Sequence, residues 1–278
     1  MKHIEGNFKG VRDTAIYYQG WLPEGDLRGV LLIVHGLGEH SGRYGNIVEQ
    51  FVPSGYAVYG FDLVGHGKSG GGREVVQRFE DYTDTLKTFY QMVAEWQAGK
   101  PIFLLGHSMG GTIASFYLLD HQEDFDGAII SAALVKVGDS VSKTTIFMGK
   151  ILSKIAPKVG VLVLEVEGIS RDPKVVEAYI NDPLVFHGKT PARLGAELLS
   201  AMIRITAEAD KIRLPIIIVQ GEEDILVEPS GAQMLYDKVS SVDKTLKIYD
   251  GMYHEVFNEP DRARVLKDVG AWLDTQLK

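Results

Sequence analysis

The stretch that most constrains this chain covers residues 102–119, where two apolar runs are joined by the sequence Gly-His-Ser-Met-Gly. The run before this motif is typical of a buried strand, and the run after it is typical of a helix packed on that strand. A sharp turn from strand to helix forces Ser108 into a crowded backbone conformation, so its neighbours Gly106 and Gly110 must lack side chains. The pattern therefore predicts a nucleophile elbow, with the Ser108 hydroxyl held clear of a sheet.

Length, charge and composition exclude several classes of protein. The chain has 278 residues, of which 45% are hydrophobic, and this is enough for one large core. A net charge of −8 argues against nucleic acid as the main partner, and the absence of cysteine excludes disulfides, thiolate catalysis and cysteine-ligated metals. Residues 1–7 lack the apolar core of a signal peptide, and no apolar run reaches the length of a membrane-spanning helix. A cytoplasmic protein is therefore expected.

Strand-like and helix-like segments alternate along most of the sequence. A strand pair is predicted over residues 8–21, and further strands at residues 30–34, 56–62, 102–105, 127–131, 216–221 and 245–249. Helices are predicted over residues 44–52, 79–96, 230–239 and 261–277. This alternation predicts an α/β fold with a mostly parallel central sheet and helices on both faces.

Residues 133–212 interrupt the alternation. We therefore expect a core made of residues 1–132 and 213–278, with residues 133–212 inserted as a cap over the active site. Ligands of open α/β sheets bind at the carboxyl ends of the strands, which such a cap would cover. A helical subdomain that only adds stability is the alternative.

A serine nucleophile needs a general base, which in this arrangement follows both the serine and the acid along the chain. Three histidines lie downstream of Ser108, namely His121, His187 and His254. His121 falls at the end of the elbow helix and His187 falls in the predicted cap. His254 comes directly after the last predicted strand, so it is the candidate base.

The candidate acid should follow the preceding strand, where the sequence offers three carboxylates in a row. Asp224 is favoured because the apolar residues 225–227 turn the chain back and bury its side chain near His254. Glu222 and Glu223 remain alternatives.

An oxyanion hole needs two N–H donors. Met109, at the start of the elbow helix, supplies one, and Leu37, in the loop after the strand at residues 30–34, is the candidate for the other. His35 and His66 would also fit a metal site, but they lie in separate loops with no carboxylate pair at ligand spacing. Both are therefore interpreted as structural hydrogen-bonding residues, and no metal is expected.

Four stretches of the chain resemble the monoacylglycerol lipase family, the capped α/β-hydrolases that also include lysophospholipases. They are residues 35–44 (HGLGEHSGRY), 65–69 (GHGKS), 106–111 (GHSMGG) and 244–255 (KTLKIYDGMYHE), with 170–173 (SRDP) and 181–184 (NDPL) in the cap region. The resemblance covers nearly the whole chain and implies the α/β-hydrolase fold.

The resemblance also implies roles for individual residues. It implies a catalytic triad of Ser108, Asp224 and His254, an oxyanion hole of Leu37 and Met109, and a polar pocket on the glycerol side shaped by Glu39 and Arg43. It further implies that no cofactor is used. The family's apolar cap collects lipid by transient contact with membranes or micelles, which fits Ile146, Phe147, Met148, Ile151 and Leu152; cap core or a dimer contact is the alternative for these residues.

The segment after His254 departs from the family pattern. Mammalian members carry a further histidine there near the glycerol, whereas this chain has Glu255-Val256-Phe257-Asn258-Glu259-Pro260. Glu255 and Asn258 are the candidates to replace that contact.

The resemblance thus predicts a serine ester hydrolase that cleaves monoacylglycerols to fatty acid and glycerol through an acyl-enzyme. A lysophospholipase or a broad-specificity carboxylesterase is the alternative within enzymes. Since a fold does not establish activity, a ligand-binding receptor on a hydrolase scaffold is the alternative from another class.

Overall fold

The structure, a computed structural model, describes residues 1–137 and 143–277, without the side chains of residues 143–147 and 150. An eight-stranded sheet forms its centre, in the strand order β1-β2-β4-β3-β5-β6-β9-β10. The strands are β1 Lys2–Lys9, β2 Ala15–Leu22, β3 Gly29–Val34, β4 Tyr56–Phe61, β5 Ile102–His107, β6 Gly127–Ser131, β9 Ile216–Gly221 and β10 Lys244–Tyr249. A separate two-stranded sheet pairs β7 Gly160–Leu162 with β8 Thr190–Pro191.

The sheet is parallel from β4 to β10, whereas β1 pairs antiparallel with β2, and β2 pairs antiparallel with β4. The eight α-helices of the described residues are α1 Gly45–Phe51, α2 Glu80–Trp96, α3 Met109–His121, α4 Lys143–Ile155, α5 Pro173–Asn181, α6 Ala192–Glu208, α7 Ser230–Lys238 and α8 Arg262–Gln276. Successive side chains of a strand point to opposite faces of the sheet, so the buried strand β3 contributes to two cores. Leu32 packs in the core with α2 and α3, whereas Ile33 packs in the core with α1 and α8. The α/β fold expected from the sequence is therefore confirmed.

Strand β1 and helix α5 differ from the sequence expectation, as does the small sheet of β7 and β8, which was not predicted. Strand β1 begins at Lys2 rather than Phe8, because its first residues pair along β2 at the edge of the sheet, where a strand needs no continuous apolar face. Helix α5 was not expected in the polar stretch after Ser170. It forms because the Asp172 side chain accepts a hydrogen bond from the Lys174 N–H, and Pro173 occupies the first turn, where no N–H is needed.

Residues 133–212, called the inserted segment below, leave the sheet after β6 and return to it at β9. Helix α6 packs on the elbow helix α3, and α4 packs on α6. Among the described residues, no helix has both the length and the apolar character needed to cross a bilayer.

Candidate active site

The predicted strand, turn and helix follow one another at Ser108, between β5 and α3. The backbone of Ser108 has φ 55° and ψ −122°, a region that L residues rarely adopt. A Cβ atom on Gly106 would lie 2.4 Å from the Gly110 carbonyl oxygen, and one on Gly110 would lie 2.0 Å from the Val34 carbonyl oxygen. Since neither position has room for a side chain, the two glycines are what permits the turn.

Asp224 and His254 are brought together from the ends of β9 and β10. The Nδ1 atom of His254 lies 2.7 Å from Oδ2 of Asp224, and both residues are buried. Burial opposes ionisation of Asp224, but hydrogen bonds from His254 and from the Val227 and Leu226 N–H groups outweigh it and lower the pKa of the carboxyl. The alternatives Glu222 and Glu223 are exposed, so Asp224 is the carboxylate of this run that contacts the histidine.

His107 connects this pair to the elbow. Its ring lies 4.8 Å from that of His254, and the next residue along the chain is Ser108. Burial and the neighbouring His254 lower the pKa of His107 to about 4, so its ring is neutral at physiological pH. His254 therefore packs against an uncharged ring, and Asp224, which contacts its Nδ1, is placed to balance a proton on its imidazole.

The loop at residues 35–40, called the β3 loop below, packs directly against the elbow. A Cβ atom on Gly36 would lie 3.2 Å from the Cβ of Ser108, and Leu37 is the next residue. His35 orders the start of this loop, because its Nδ1 lies 2.8 Å from the Gly36 carbonyl and its Nε2 accepts a hydrogen bond from the Leu63 N–H at 2.9 Å. Met109, the other expected oxyanion donor, is fully buried at the start of α3.

A buried ionic cluster joins the β3 loop to the loop of His254. The Nη1 of Arg43 donates to Glu39 at 2.8 Å and to Glu255 at 2.6 Å, and its Nη2 donates to Glu255 at 2.9 Å. Glu39 also accepts from the Gly36 N–H at 2.6 Å and from the Tyr44 hydroxyl at 2.8 Å. The cluster therefore connects the loop of the expected oxyanion donor to the residue that follows His254.

Both acids of the cluster are committed to protein partners. Burial opposes the charge on Glu39, but Arg43 and the neighbouring His107 and His35 outweigh it and lower the pKa of Glu39 to about 2. Asn258, the other candidate for a glycerol contact, donates to Glu255 at 2.8 Å. The cavity that these residues line measures about 10 Å³, which is the space of one water molecule rather than of glycerol.

The remaining histidines of the sequence analysis lie apart from this site. Nδ1 of His66 lies 3.0 Å from the Val64 carbonyl, so both His66 and His35 contact the backbone. His121 lies at the end of α3 near Glu123, and His187 is exposed beside the ring of Tyr179. In the part of the chain that the structure describes, no group of three histidine or carboxylate side chains could hold a metal ion.

The inserted segment contacts both loops of the site. Beside His254, the N–H of Glu255 donates to the Ile169 carbonyl at 2.7 Å. At the β3 loop, the Phe186 N–H donates to the Gly38 carbonyl at 2.8 Å, and Nε2 of His40 lies 2.8 Å from Asp182. These contacts lie in or next to the two cap stretches that carried the family resemblance, but sequence reasoning assigned no partner to any of them.

Together, the sheet topology, the elbow and the Asp224–His254 pair define a hydrolase of the α/β-hydrolase class. A family model described as "Serine aminopeptidase, S33" matches residues 25–261, and the chain belongs to this family. It is similar to a monoacylglycerol lipase of Mycolicibacterium smegmatis, with 37% identity over 98% of both chains. It is also similar to the monoglyceride lipase of Homo sapiens, with 31% identity over 93% of this chain and 86% of the human one.

A solved structure shows the same likeness in three dimensions. The crystal structure of a monoacylglycerol lipase from Paleococcus ferrophilus superposes with a TM-score of 0.82 and 30% identity, over 99% of this chain and 100% of the other. The family resemblance read from the sequence motifs is therefore confirmed.

Proposed function

We propose that this protein is a serine ester hydrolase that cleaves monoacylglycerols to a free fatty acid and glycerol through an acyl-enzyme. The observation that carries the proposal is the buried hydrogen bond of 2.7 Å between Asp224 and His254, next to the elbow of Ser108. The similarity to monoacylglycerol lipases over nearly the full length of both chains supports the substrate.

In the proposed mechanism, His254 removes the proton of the Ser108 hydroxyl while Ser108 attacks the ester carbonyl. Asp224 holds the imidazole in the tautomer that accepts at Nε2, and its charge stabilises the imidazolium that forms. The N–H groups of Leu37 and Met109 stabilise the tetrahedral oxyanion. His254 returns the proton to the departing glycerol oxygen, and the acyl group stays on Ser108. Water activated by His254 then releases the fatty acid and restores the serine.

We assign Glu39 and Arg43 to the polar end of the substrate site. Both are held by protein groups, so they shape this end by ordering the β3 loop and the residue after His254. A polar site with fixed donors and acceptors discriminates against analogues that leave those groups unpaired.

The inserted segment is proposed to be the cap, since it contacts both loops of the site. Part of it is exposed and apolar: Met148, Leu152, Ile155, Val159, Val161, Leu162 and Val163. Ile151 is half-buried, and the side chains of Ile146 and Phe147 lie outside the described residues. This surface supports transient contact with membranes or micelles.

Replacing Leu162 and Val163 by serine should weaken flotation with neutral lipid vesicles, and unchanged flotation would contradict the contact. A cytoplasmic location stays a prediction.

Matched substrates test the proposed specificity. One acyl chain fits beneath a single cap more readily than two or three, and each buried methylene contributes about 0.8 kcal/mol. We expect kcat/KM on monoacylglycerol to exceed that on di- and triacylglycerol of the same acyl chain by at least about tenfold. Initial rates in mixed micelles, with a lysophospholipid and an ethyl ester of the same acid, make the comparison.

The Ser108→Ala variant is the control, and it should lose both turnover and labelling by a fluorophosphonate. Equal rates on mono- and triacylglycerol would leave a broad esterase, and faster lysophospholipid turnover would leave a lysophospholipase. If the wild-type chain hydrolyses no ester, the receptor alternative applies.

A further inference from the structure

Glu74 is a buried carboxyl that the proposed mechanism does not use. It is 2% exposed, and its backbone has φ 55°, a left-handed conformation that residues other than glycine rarely adopt. A backbone hydrogen bond of 3.2 Å from its N–H to the Gly65 carbonyl holds it within the loop that follows β4. This conformation directs an acidic side chain into the protein, at a place where the sequence motifs indicated no function.

The carboxyl of Glu74 lies where the β3 loop meets the inserted segment. Its Oε1 is 3.6 Å from the position that a Cβ atom on Gly38 would take, and Gly38 follows the expected oxyanion donor Leu37. The Tyr179 hydroxyl and the Phe186 carbonyl of the inserted segment approach the same position to 3.1 and 3.2 Å. Thr190, also in the inserted segment, lies beside the carboxyl of Glu74, and its side chain acts to lower the pKa of that carboxyl.

The groups that face Glu74 from the described elements supply no positive charge. Tyr82 of α2 and Tyr179 of α5 are neutral, because burial raises the pKa of each hydroxyl far above the physiological range. His66, whose ring lies 6.4 Å from that of Tyr82, is neutral as well, since burial lowers its pKa to about 3. Arg43 lies on the Tyr179 ring, 4.6 Å from its centroid, and is held there by its two carboxylates.

Among the described residues, Thr190 is therefore the polar group that favours the charged form of Glu74, and no counter-charge acts on it. Its Oε2 has no partner among residues 1–137 and 143–277. Burial raises the pKa of Glu74 to about 7, and only the side chain of Thr190 opposes this effect. The packed arrangement accommodates the neutral carboxyl, whereas the charged form needs further donors, which water supplies if the contact opens.

We propose that Glu74 is a positioning residue whose neutral form holds the β3 loop against the inserted segment, and whose ionisation loosens that contact. Ionisation also places a negative charge beside the loop of Leu37, where it opposes the charge that develops on the oxyanion. The inference rests on the proposed ester hydrolysis at Ser108. It predicts that activity falls as the pH rises on the alkaline side. Deprotonation of His254 does not explain such a fall, because a serine hydrolase needs that base neutral.

The pH profile of kcat/KM for wild type and Glu74→Gln tests this role, with a soluble monoacylglycerol as substrate. Glutamine keeps the shape of the side chain and stays neutral. We expect wild type to lose at least about threefold in kcat/KM between about pH 7 and about pH 9, and Glu74→Gln to stay level there. Both should share the acidic limb, because both keep the same triad. Glu49→Gln, the same change on the exposed face of α1, should keep the wild-type profile.

A purely structural role would change kcat/KM by one factor at every pH, so parallel profiles of wild type and Glu74→Gln would overturn the inference. Hydrogen exchange of residues 36–40 and 185–191 gives a second readout that needs no turnover. After correction for the intrinsic exchange rate, protection in wild type should fall as the pH rises through about 7. If the hydrogen-exchange protection of these residues in wild type does not change with pH, the inference is overturned, whether or not Glu74→Gln folds. If protection falls as expected but wild type hydrolyses no ester, only the proposed function is refuted.

Discussion

Two buried carboxyls meet at the β3 loop, and they differ in charge: Glu39 belongs to the loop, whereas Glu74 approaches it at Gly38. Glu39 accepts hydrogen bonds from the loop and from Tyr44 and is paired with Arg43, and its pKa is lowered to about 2. Glu74 has Thr190 beside it, whose side chain only partly offsets the effect of burial, and its pKa is raised to about 7. Since both are buried, burial alone does not decide the charge of a carboxyl; the number and charge of its partners do.

The two carboxyls therefore have different tasks. From Glu39, ionic bonds run through Arg43 to Glu255, next to His254, and Glu39 itself stays ionised across the physiological pH range because its pKa is lowered to about 2. At Glu74, the loop meets the inserted segment through a group that titrates within that range. Glu39 fixes the β3 loop to the loop of His254, and we propose that Glu74 makes the contact with the inserted segment sensitive to protons.

The largest expected effect is the loss of kcat when Asp224 is replaced. Like Glu39, Asp224 is a buried carboxyl with several hydrogen-bond partners. It accepts from His254 and Gln220 at 2.7 Å and from the N–H groups of Leu226 and Val227 at 2.9 Å. Asp224→Asn should lower kcat by about three to four orders of magnitude, because His254 loses the partner that orients it and balances its charge. Steady-state kinetics on a chromogenic ester measure the loss.

The exposed neighbours of Asp224 are the controls for this prediction. Glu222→Gln and Glu223→Gln should each retain most of the wild-type kcat, since neither side chain is buried against His254. If one of them is the inactive variant, the choice among the three carboxylates is wrong.

A smaller effect is expected on stability when Glu39 loses its charge. The pKa of Glu39 is lowered from 4.5 to about 2, so its ionised form stabilises the fold above 4.5, and this contribution is lost as the pH falls through about 2. Glu39→Gln should therefore reduce the free energy of unfolding by about 3 kcal/mol at neutral pH and by much less near pH 2. Urea unfolding at several pH values measures both, with Glu49→Gln as the control. A loss that is independent of pH would contradict the ionic role.

The smallest effect, and one of opposite sign, is expected for Glu74. Its pKa is raised from 4.5 to about 7, so wild type loses stability as the pH rises through this window, because the unfolded chain ionises first. Glu74→Gln should match wild type below 4.5 and become more stable above pH 7, by less than the roughly 3 kcal/mol to which the full shift corresponds, because water reaches the ionised carboxyl when the contact opens. The same urea series measures the difference. If Glu74→Gln and Glu39→Gln change stability with pH in the same direction, the contrast between the two carboxyls is wrong.

Local patterns in the sequence were enough for the strands of the central sheet, most helices and the elbow. Residues 102–111 predict the turn at Ser108 because its steric demands involve close neighbours in the chain, and the order of Ser108, Asp224 and His254 follows from which strand each residue succeeds. Helix α5 escaped prediction because its start depends on the capping residue Asp172 rather than on an apolar period.

The partners of the charged side chains were decided only by the tertiary structure. Arg43 is 212 positions from Glu255, and Glu74 meets Gly38 and Thr190 from other elements, so no local spacing indicates these contacts. The apolar periods of the sequence determine which faces are buried, because hydrophobic burial depends on composition along an element. The ionisation of a buried carboxyl depends instead on which donors and charges lie within a few ångströms of it, and only the folded chain sets those distances.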